Sequence, residues 1–337
     1  MDWFERLTGF RETGYHDTRQ KLSLVGRELH SRVNGRSYDV GELELVSLDA
    51  LRRRVAAGGG LPGRLQVRVV TGDVRRLHQA PEFAGALFQV ASQFNLLEMT
   101  GPDVSPEDGV TRYQCDHTQG PACAMAAGAA TIYRNYFAPV GEATGQTRSN
   151  QLDGLREIGV ALEAALGRPR RLLWLMRNGY ALCSQEGLHA ISRHLETSAP
   201  QAIEELSGRL QVGVHWDVEV TDLDANRSQR VSQAFCSALP VAYSQVPKDS
   251  WRLFASFVLG AAYEATLLAA SLNAQRAASN VVLLTRLGGG AFGNADAWID
   301  TAMRRALRRA VGLGLDVRLV SRGPPAPHLL ELVDEFR

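Results

Sequence analysis

Residues 281–287 read VVLLTRL, residues 288–294 read GGGAFGN, a helical pattern covers about 296–312, and LDVRLV occupies 315–320. A short apolar run bounded by glycines is the pattern of a strand buried on both faces. Strand, glycine turn, helix and second strand make a βαβ unit, whose crossover requires the two strands to lie parallel in one sheet. This unit predicts an α/β protein with a mixed sheet flanked by helices. The turn also points to a site, because ligands of open α/β sheets bind beyond the carboxyl ends of the strands. Gly288, Gly289, Gly290, Ala291, Phe292, Gly293 and Asn294 bring backbone N–H groups to that edge. The helix that follows adds the positive end of its dipole, a combination suited to an anion such as phosphate. The turn is not a Walker loop, since no Gly-Lys-Ser/Thr follows. A tight turn without a ligand is the plain alternative, although four glycines around one aromatic exceed what a turn requires.

Outward from that unit, GELELVS (41–47) reads as a strand and SLDALRRRVA as a helix capped by Ser47 or Asp49. The breaker cluster GGGLPG (58–63) marks the best boundary. LQVRVV (65–70) is a strand that ends in Thr71-Gly72-Asp73-Val74, and ALFQVAS (86–92) a second that leads into Gln93-Phe94-Asn95-Leu96-Leu97-Glu98. PACAMAAGAATIYRNYF (121–137) predicts one helix with Pro121 in its first turn, entered through Asp116-His117-Thr118-Gln119-Gly120. Residues 138–152 read as a surface loop, and Asn178-Gly179 predicts a hairpin. Helices follow near 185–196 and 200–207, strands at 210–220 and 231–239, and the longest helix at 250–274. The expected division is an N-terminal extension, 1–60, and an α/β domain, 61–337, with an insert at about 138–278.

The chain has 337 residues, 45% apolar and 22% charged, which excludes wholesale disorder. Its net charge of +1 leaves no global electrostatic footprint for nucleic acid or an anionic membrane. The arginines at 304, 305, 308 and 309 share a broad helix face that reads as a solvated surface, and nucleic-acid binding is not expected. The apolar stretch at about 253–272 is broken by Glu264 and is not read as a membrane span. Glu264 beside Tyr263 either enters a site or, the plainer reading, faces solvent. The N-terminus has no secretory pattern and the four cysteines form no C-x-x-C pair, so a reduced, cytoplasmic protein is expected. Cys115, His117 and Cys123 match no zinc spacing, and neither metal nor cofactor is expected. The sequence is silent on oligomeric state.

Taken together, VVTGDV, FQVASQFN, TQGPACAMAAGA and VVLLTRLGGGAFGN resemble, in order, four elements of macrodomains. These are the strand and Gly-Asp turn that open the fold, a strand leading to an Asn, and the first and second phosphate loops. The resemblance spans about 65–137 and 279–320. It extends to bacterial-type poly(ADP-ribose) glycohydrolases of the same clan, whose Gln-Glu-Glu signature this sequence lacks. It implies an ADP-ribose-like small-molecule ligand. Asp73, with Val74 beside it, would accept a hydrogen bond from the adenine amino group, and Asn95 would hold the distal ribose. Gln119, Gly120, Pro121 and Ala122, with Gly288 to Gly293 and Asn294, would wrap the diphosphate, and Phe292 would pack near the distal ribose. Glu98 and Asp116 are the carboxylates nearest these loops in sequence, and either would serve as general base. The expected function is binding of ADP-ribose and hydrolysis of an ADP-ribosyl derivative. The rivals are a non-catalytic reader and a structural protein without a ligand.

Overall fold

The βαβ unit is present in the computed structural model, which describes residues 1–59, 63–223 and 227–337. It lies in a sheet of seven strands: β1 (Glu42–Ser47), β2 (Gln66–Thr71), β3 (Leu87–Ala91), β4 (Gln211–Glu219), β5 (Arg230–Cys236), β6 (Val281–Leu284) and β7 (Asp316–Ser321). Their spatial order is β1-β4-β5-β3-β6-β7-β2. β4 is antiparallel to both neighbours, and every other pair is parallel. All strands but β4 therefore point the same way, and their carboxyl ends share one edge. The sheet is mixed, as expected.

Side chains alternate between two cores, as the pleat requires. Leu87, Ala234, Val282, Leu284 and Val317 face one core, while Phe88, Val90, Phe235 and Leu283 face the other. The helices that matter for the site are α1 (Leu48–Ala57), α2 (Val74–Gln79), α3 (Gln119–Ala126), α4 (Gly128–Tyr136), α5 (Lys248–Gln275) and α6 (Asp296–Arg309). α5 and α6 cover the first face, and α3 closes the second with Cys123. Fully burying a side chain such as Phe88 contributes about 1.5–3 kcal/mol, so the alternating positions of β3 and β6 fix which face of the sheet meets which core.

α5 is long and apolar enough to cross a bilayer, and 67% of its most apolar window is buried inside the fold. Glu264 neither enters the site nor faces solvent. It accepts from Arg52 Nε at 2.7 Å and Arg309 Nη1 at 2.5 Å. The arginine face of α6 is likewise matched from within. Arg304 and Arg308 pair with Glu335 at 2.6 and 2.7 Å, and Arg305 and Arg309 with Glu204.

Two expectations give way to tertiary contacts. The single helix at 121–137 is broken at Ala127, which takes φ −114° and ψ 59°. Thr221 splices into the gap: its N–H donates to Ala126 O at 2.9 Å and its Oγ1 accepts from Gly128 N–H at 2.8 Å. The division at 60 is crossed by the sheet, because β1 pairs with β4 and α1 packs against α5. Of the breaker cluster at 58–63, residues 60–62 lie outside the described residues. Residues 138–278, expected as an insert, supply β4, β5 and α5. β5 completes the ladder of the central strand β3, and sequence separation carries no signal of such partners. A three-stranded antiparallel sheet, Leu22–Val25, Glu28–Ser31 and Ser37–Asp39, packs with Phe4 and Leu7 against α4.

Candidate functional site

The shared edge of the sheet opens onto a cavity of about 340 Å³. Its floor is made by the residues that leave four parallel strands: Ser92 and Gln93 after β3, Ala238 after β5, Thr285 to Leu287 after β6, and Arg322 after β7. The first loop, Asp116 to Pro121, and the second, Gly288 to Phe292, close the two sides.

The second loop is closed by its own backbone. Gly289 N–H donates to Arg286 O, Gly293 N–H to Gly290 O and Asn294 N–H to Gly288 O, at 3.0–3.1 Å. Asn294 Nδ2 adds a bond to Leu239 O at 2.9 Å. Gly288 has φ +74°, and a Cβ there would stand 2.4 Å from Ala238 Cβ. The N–H groups of Gly290, Ala291 and Phe292 are left over. Among the described residues they find no acceptor, and all three residues line the cavity. Successive unpaired backbone N–H groups in a turn form an anion-binding concavity. From inside α5, Tyr263 holds the loop's entry: its hydroxyl donates to Thr285 O at 2.7 Å and accepts from Leu287 N–H at 2.9 Å.

The first loop docks tightly on β3. Gln119 Nε2 donates to Gln89 O at 2.8 Å, and its Oε1 accepts from Ala91 N–H at 2.9 Å. Gly120 lies so close to the strand that a Cβ would stand 1.9 Å from Ala91 O and 3.1 Å from Glu98 Cγ. Gln119, Gly120 and Pro121 of the first turn line the cavity, and the N–H groups of Gln119 and Gly120 have no acceptor among the described residues, at the positive end of the helix dipole.

Glu98 reaches the cavity through a turn. Leu96 has φ +63° and packs against Gly213. Asn95 Oδ1 accepts from Leu97 N–H at 3.1 Å, and Gln93 N–H donates to Leu97 O at 2.9 Å. Glu98 N–H then donates to the Tyr113 hydroxyl at 3.1 Å. The carboxyl is buried. Its Oε1 lies 3.5 Å from Arg134 Nη2, and its Oε2 has no partner among the described residues. Burial pushes its pKa up to about 7, against the opposing pull of Arg134. A carboxyl so placed exchanges protons near neutral pH.

Of the residues named from sequence, Glu98, Asp116, Gln119, Gly120, Pro121, Gly288, Gly290, Ala291 and Phe292 meet around this cavity. The others do not line it. Asp73 caps α2, its Oδ1 accepting from Arg75 and Arg76 N–H at 3.0 and 3.3 Å, and stands outside the cavity lining. Val74 is buried in the first turn of that helix. Asn95 is fully buried and donates to Gln151 Oε1 at 2.9 Å, so it builds the turn under Glu98 rather than holding a ribose. Ala122, Gly289, Gly293 and Asn294 shape the loops from behind. Asp116 Oδ1 accepts from Thr118 N–H at 2.8 Å. Phe292 packs against Tyr180 and Tyr243, ring centroids 5.3 and 5.6 Å away, forming an aromatic wall.

Sequence reasoning missed both tyrosines, Tyr263 in its supporting role, and Arg322. Arg322 directly follows β7, and the strand-end rule that singled out Asp73 applies equally to it. Among the described residues Arg322 has no acidic partner, whereas Arg286 is matched by Asp296 at 2.7 Å and by Asp300. Four free cysteines and no grouping of three metal-ligating side chains occur among the described residues.

Fold and site together define an α/β protein with a cleft at the strand ends, lined by two loops and a buried carboxyl. The chain matches no protein-family model and no curated protein sequence. Among solved structures it is similar to the poly(ADP-ribose) glycohydrolase of Thermomonospora curvata, at 13% identity over 94% of each chain, with a TM-score of 0.47. It is also similar to that of Deinococcus radiodurans in complex with ADP-ribose, at 12% identity over 97% of this chain and 98% of the other, with a TM-score of 0.44. The Thermomonospora curvata enzyme bound to the inhibitor ADP-HPD gives 12% identity, 95% and 100% coverage, and a TM-score of 0.43.

Proposed function

We propose that the protein binds ADP-ribose, or a closely related nucleotide diphosphate sugar, and hydrolyses an ADP-ribosyl compound at the distal ribose. The observation that carries this reading is the meeting, around one cavity, of two sets of unpaired backbone N–H groups with a buried carboxyl beside them. The N–H groups of Gly290, Ala291 and Phe292 on one side and the α3 N-terminus on the other suit two linked phosphates. Arg322 supplies a positive charge with no acidic partner among the described residues. Diphosphate held there sets its attached sugar within reach of Glu98, against which Gly120 is packed.

Glu98 in its protonated form donates to the leaving oxygen as the C1″–O bond breaks. In its ionised form it takes the proton of the attacking water, which regenerates the acid. The cavity is open and holds a carboxyl, which favours an enzyme over a reader and over a structural protein. The missing Gln-Glu-Glu signature favours the reader as second reading.

Calorimetric titration with ADP-ribose, together with release of ADP-ribose from ADP-ribosylated protein and polymer, tests both. Binding with turnover that falls about 10²–10⁴-fold in Glu98→Gln is expected. Binding without turnover in the unaltered protein selects the reader, and no binding refutes the assignment.

A further inference from the structure

Arg134 is a cation with no route to solvent, and the reaction proposed above does not use it. Its side chain is fully buried and lies outside the cavity. From α4 it makes five contacts, one of them Nη1 at 3.5 Å from His215 Nδ1. Nε donates to Leu96 O at 3.1 Å, Nη2 donates to Thr131 Oγ1 at 3.0 Å, Nη2 lies 3.5 Å from Glu98 Oε1, and the guanidinium stacks 3.9 Å from the centre of the Phe235 ring. Leu96 is the left-handed residue of the turn that carries Glu98. One side chain thus grips the turn and faces the carboxyl that the turn delivers.

We propose that Arg134 is a positioning residue: it clamps the 93–98 turn and fixes the Glu98 carboxyl beside the cavity through Oε1, lowering its proton affinity against the effect of burial, while Oε2 is left without a partner among the described residues. The proposal rests on Glu98 being the acid–base group of the site. A buried arginine costs several kcal/mol of desolvation and is retained only where its donors and charge are used. Here three acceptors and a ring face use them. The long 3.5 Å approach matters. A tight two-point pair would occupy both carboxylate oxygens and hold the group fully ionised, whereas this approach leaves Oε2 free to exchange a proton.

The other groups around Glu98 do not substitute for Arg134. Tyr113 from the 111–115 segment and Cys123 from α3 are buried and neutral, their pKa values raised well above ordinary by burial. His215 of β4 stands 3.5 Å from Arg134 Nη1, and burial first and Arg134 second hold it neutral. Asp116 shares the cavity with Glu98 and carries the opposite sign to Arg134. Arg286 and Arg322 also line that cavity, and Arg134 is the cation within ion-pair distance of the Glu98 carboxyl among the described residues.

The test reads the protonation of Glu98 directly, by the infrared carbonyl band of its carboxylic acid, assigned by its loss in Glu98→Gln. The band needs no turnover, so a protein that only binds its ligand still reports. In Arg134→Gln its midpoint is expected to move up by about 1–3 pH units, the effect of removing an adjacent opposite charge. Arg134→Lys, which keeps the charge, is expected to move it by less. Where hydrolysis is measurable, its pH profile shifts in the same order. An unmoved midpoint in Arg134→Gln overturns the proposal. If Arg134→Gln does not fold, Arg134→Met, which keeps the apolar contact with Phe235, is read in the same way, and an unmoved midpoint in it overturns the proposal.

Discussion

Gly120→Ala is the smallest change that strikes the site at its joint. The added Cβ would stand 1.9 Å from Ala91 O, where ordinary contact begins at 3.4 Å, a deficit of 3.4 − 1.9 = 1.5 Å. Ala91 cannot give way, because it ends the central strand and is in register with Cys236. The N-terminus of α3 must move instead, which pulls Gln119 from Gln89 O and Ala91 N. Overpacking of this kind costs about 1–3 kcal/mol, and the two strained hydrogen bonds add about 1 kcal/mol each. In a domain of this size the melting temperature should fall by roughly 4–7 °C. The same shift displaces Glu98, whose Cγ would stand 3.1 Å from the new methyl, and about 1 Å of misplacement costs roughly hundredfold in turnover. The paired control is Gly290→Val. A Cβ at 290 meets nothing within 4 Å, and the residue lines the cavity, so the fold should tolerate the change while the phosphate position is filled. Differential scanning calorimetry and ADP-ribose titration of both variants check this. A Gly120→Ala protein as stable and active as the parent would refute the reasoning. So would a Gly290→Val protein that loses stability but binds ADP-ribose undiminished.

Asp73→Ala should cost about 1 kcal/mol through the lost cap of α2. It should leave unchanged the ratio of affinities for ADP-ribose and for ribose phosphate, and a changed ratio would restore the base-recognition role. Arg322→Ala should weaken ADP-ribose about tenfold or more, through loss of a charge-assisted phosphate contact of about 1.5–3 kcal/mol. The loss should shrink at high salt, and adenosine, which lacks phosphate, should be unaffected. The folded-state pKa of Glu98, about 7 against an ordinary 4.5, means that the fold favours the protonated form. Its contribution to stability is therefore complete below pH 4.5 and is lost as pH rises to about 7, by (7 − 4.5) × 1.36, about 3 kcal/mol. Urea midpoints at pH 5 and pH 8 should show this slope in the parent and not in Glu98→Gln, and equal slopes would count against the assignment.

Much of this was legible from local pattern. The run at 281–287 and its glycine turn announced a βαβ unit, since a strand buried on both faces has little freedom of composition and a crossover has little freedom of hand. Small and glycine residues at 120 and 288 marked close approach, because only a missing Cβ permits it. Asp73, Asn95 and Arg322 show the limit. All three follow strands aimed at the same edge, yet one caps a helix, one braces a turn and only Arg322 enters the cavity. The choice depends on which backbone donors lie within reach, and those come from segments distant in sequence. Tertiary packing alone decided that Thr221 breaks the predicted helix at Ala127, that β1 and β5 join the sheet, and that Arg134 faces Glu98 across 36 residues. Periodicity reports which way a side chain points within its own element. Which buried charge or orphaned donor it meets there depends on how the elements are stacked, and only the folded chain contains that information.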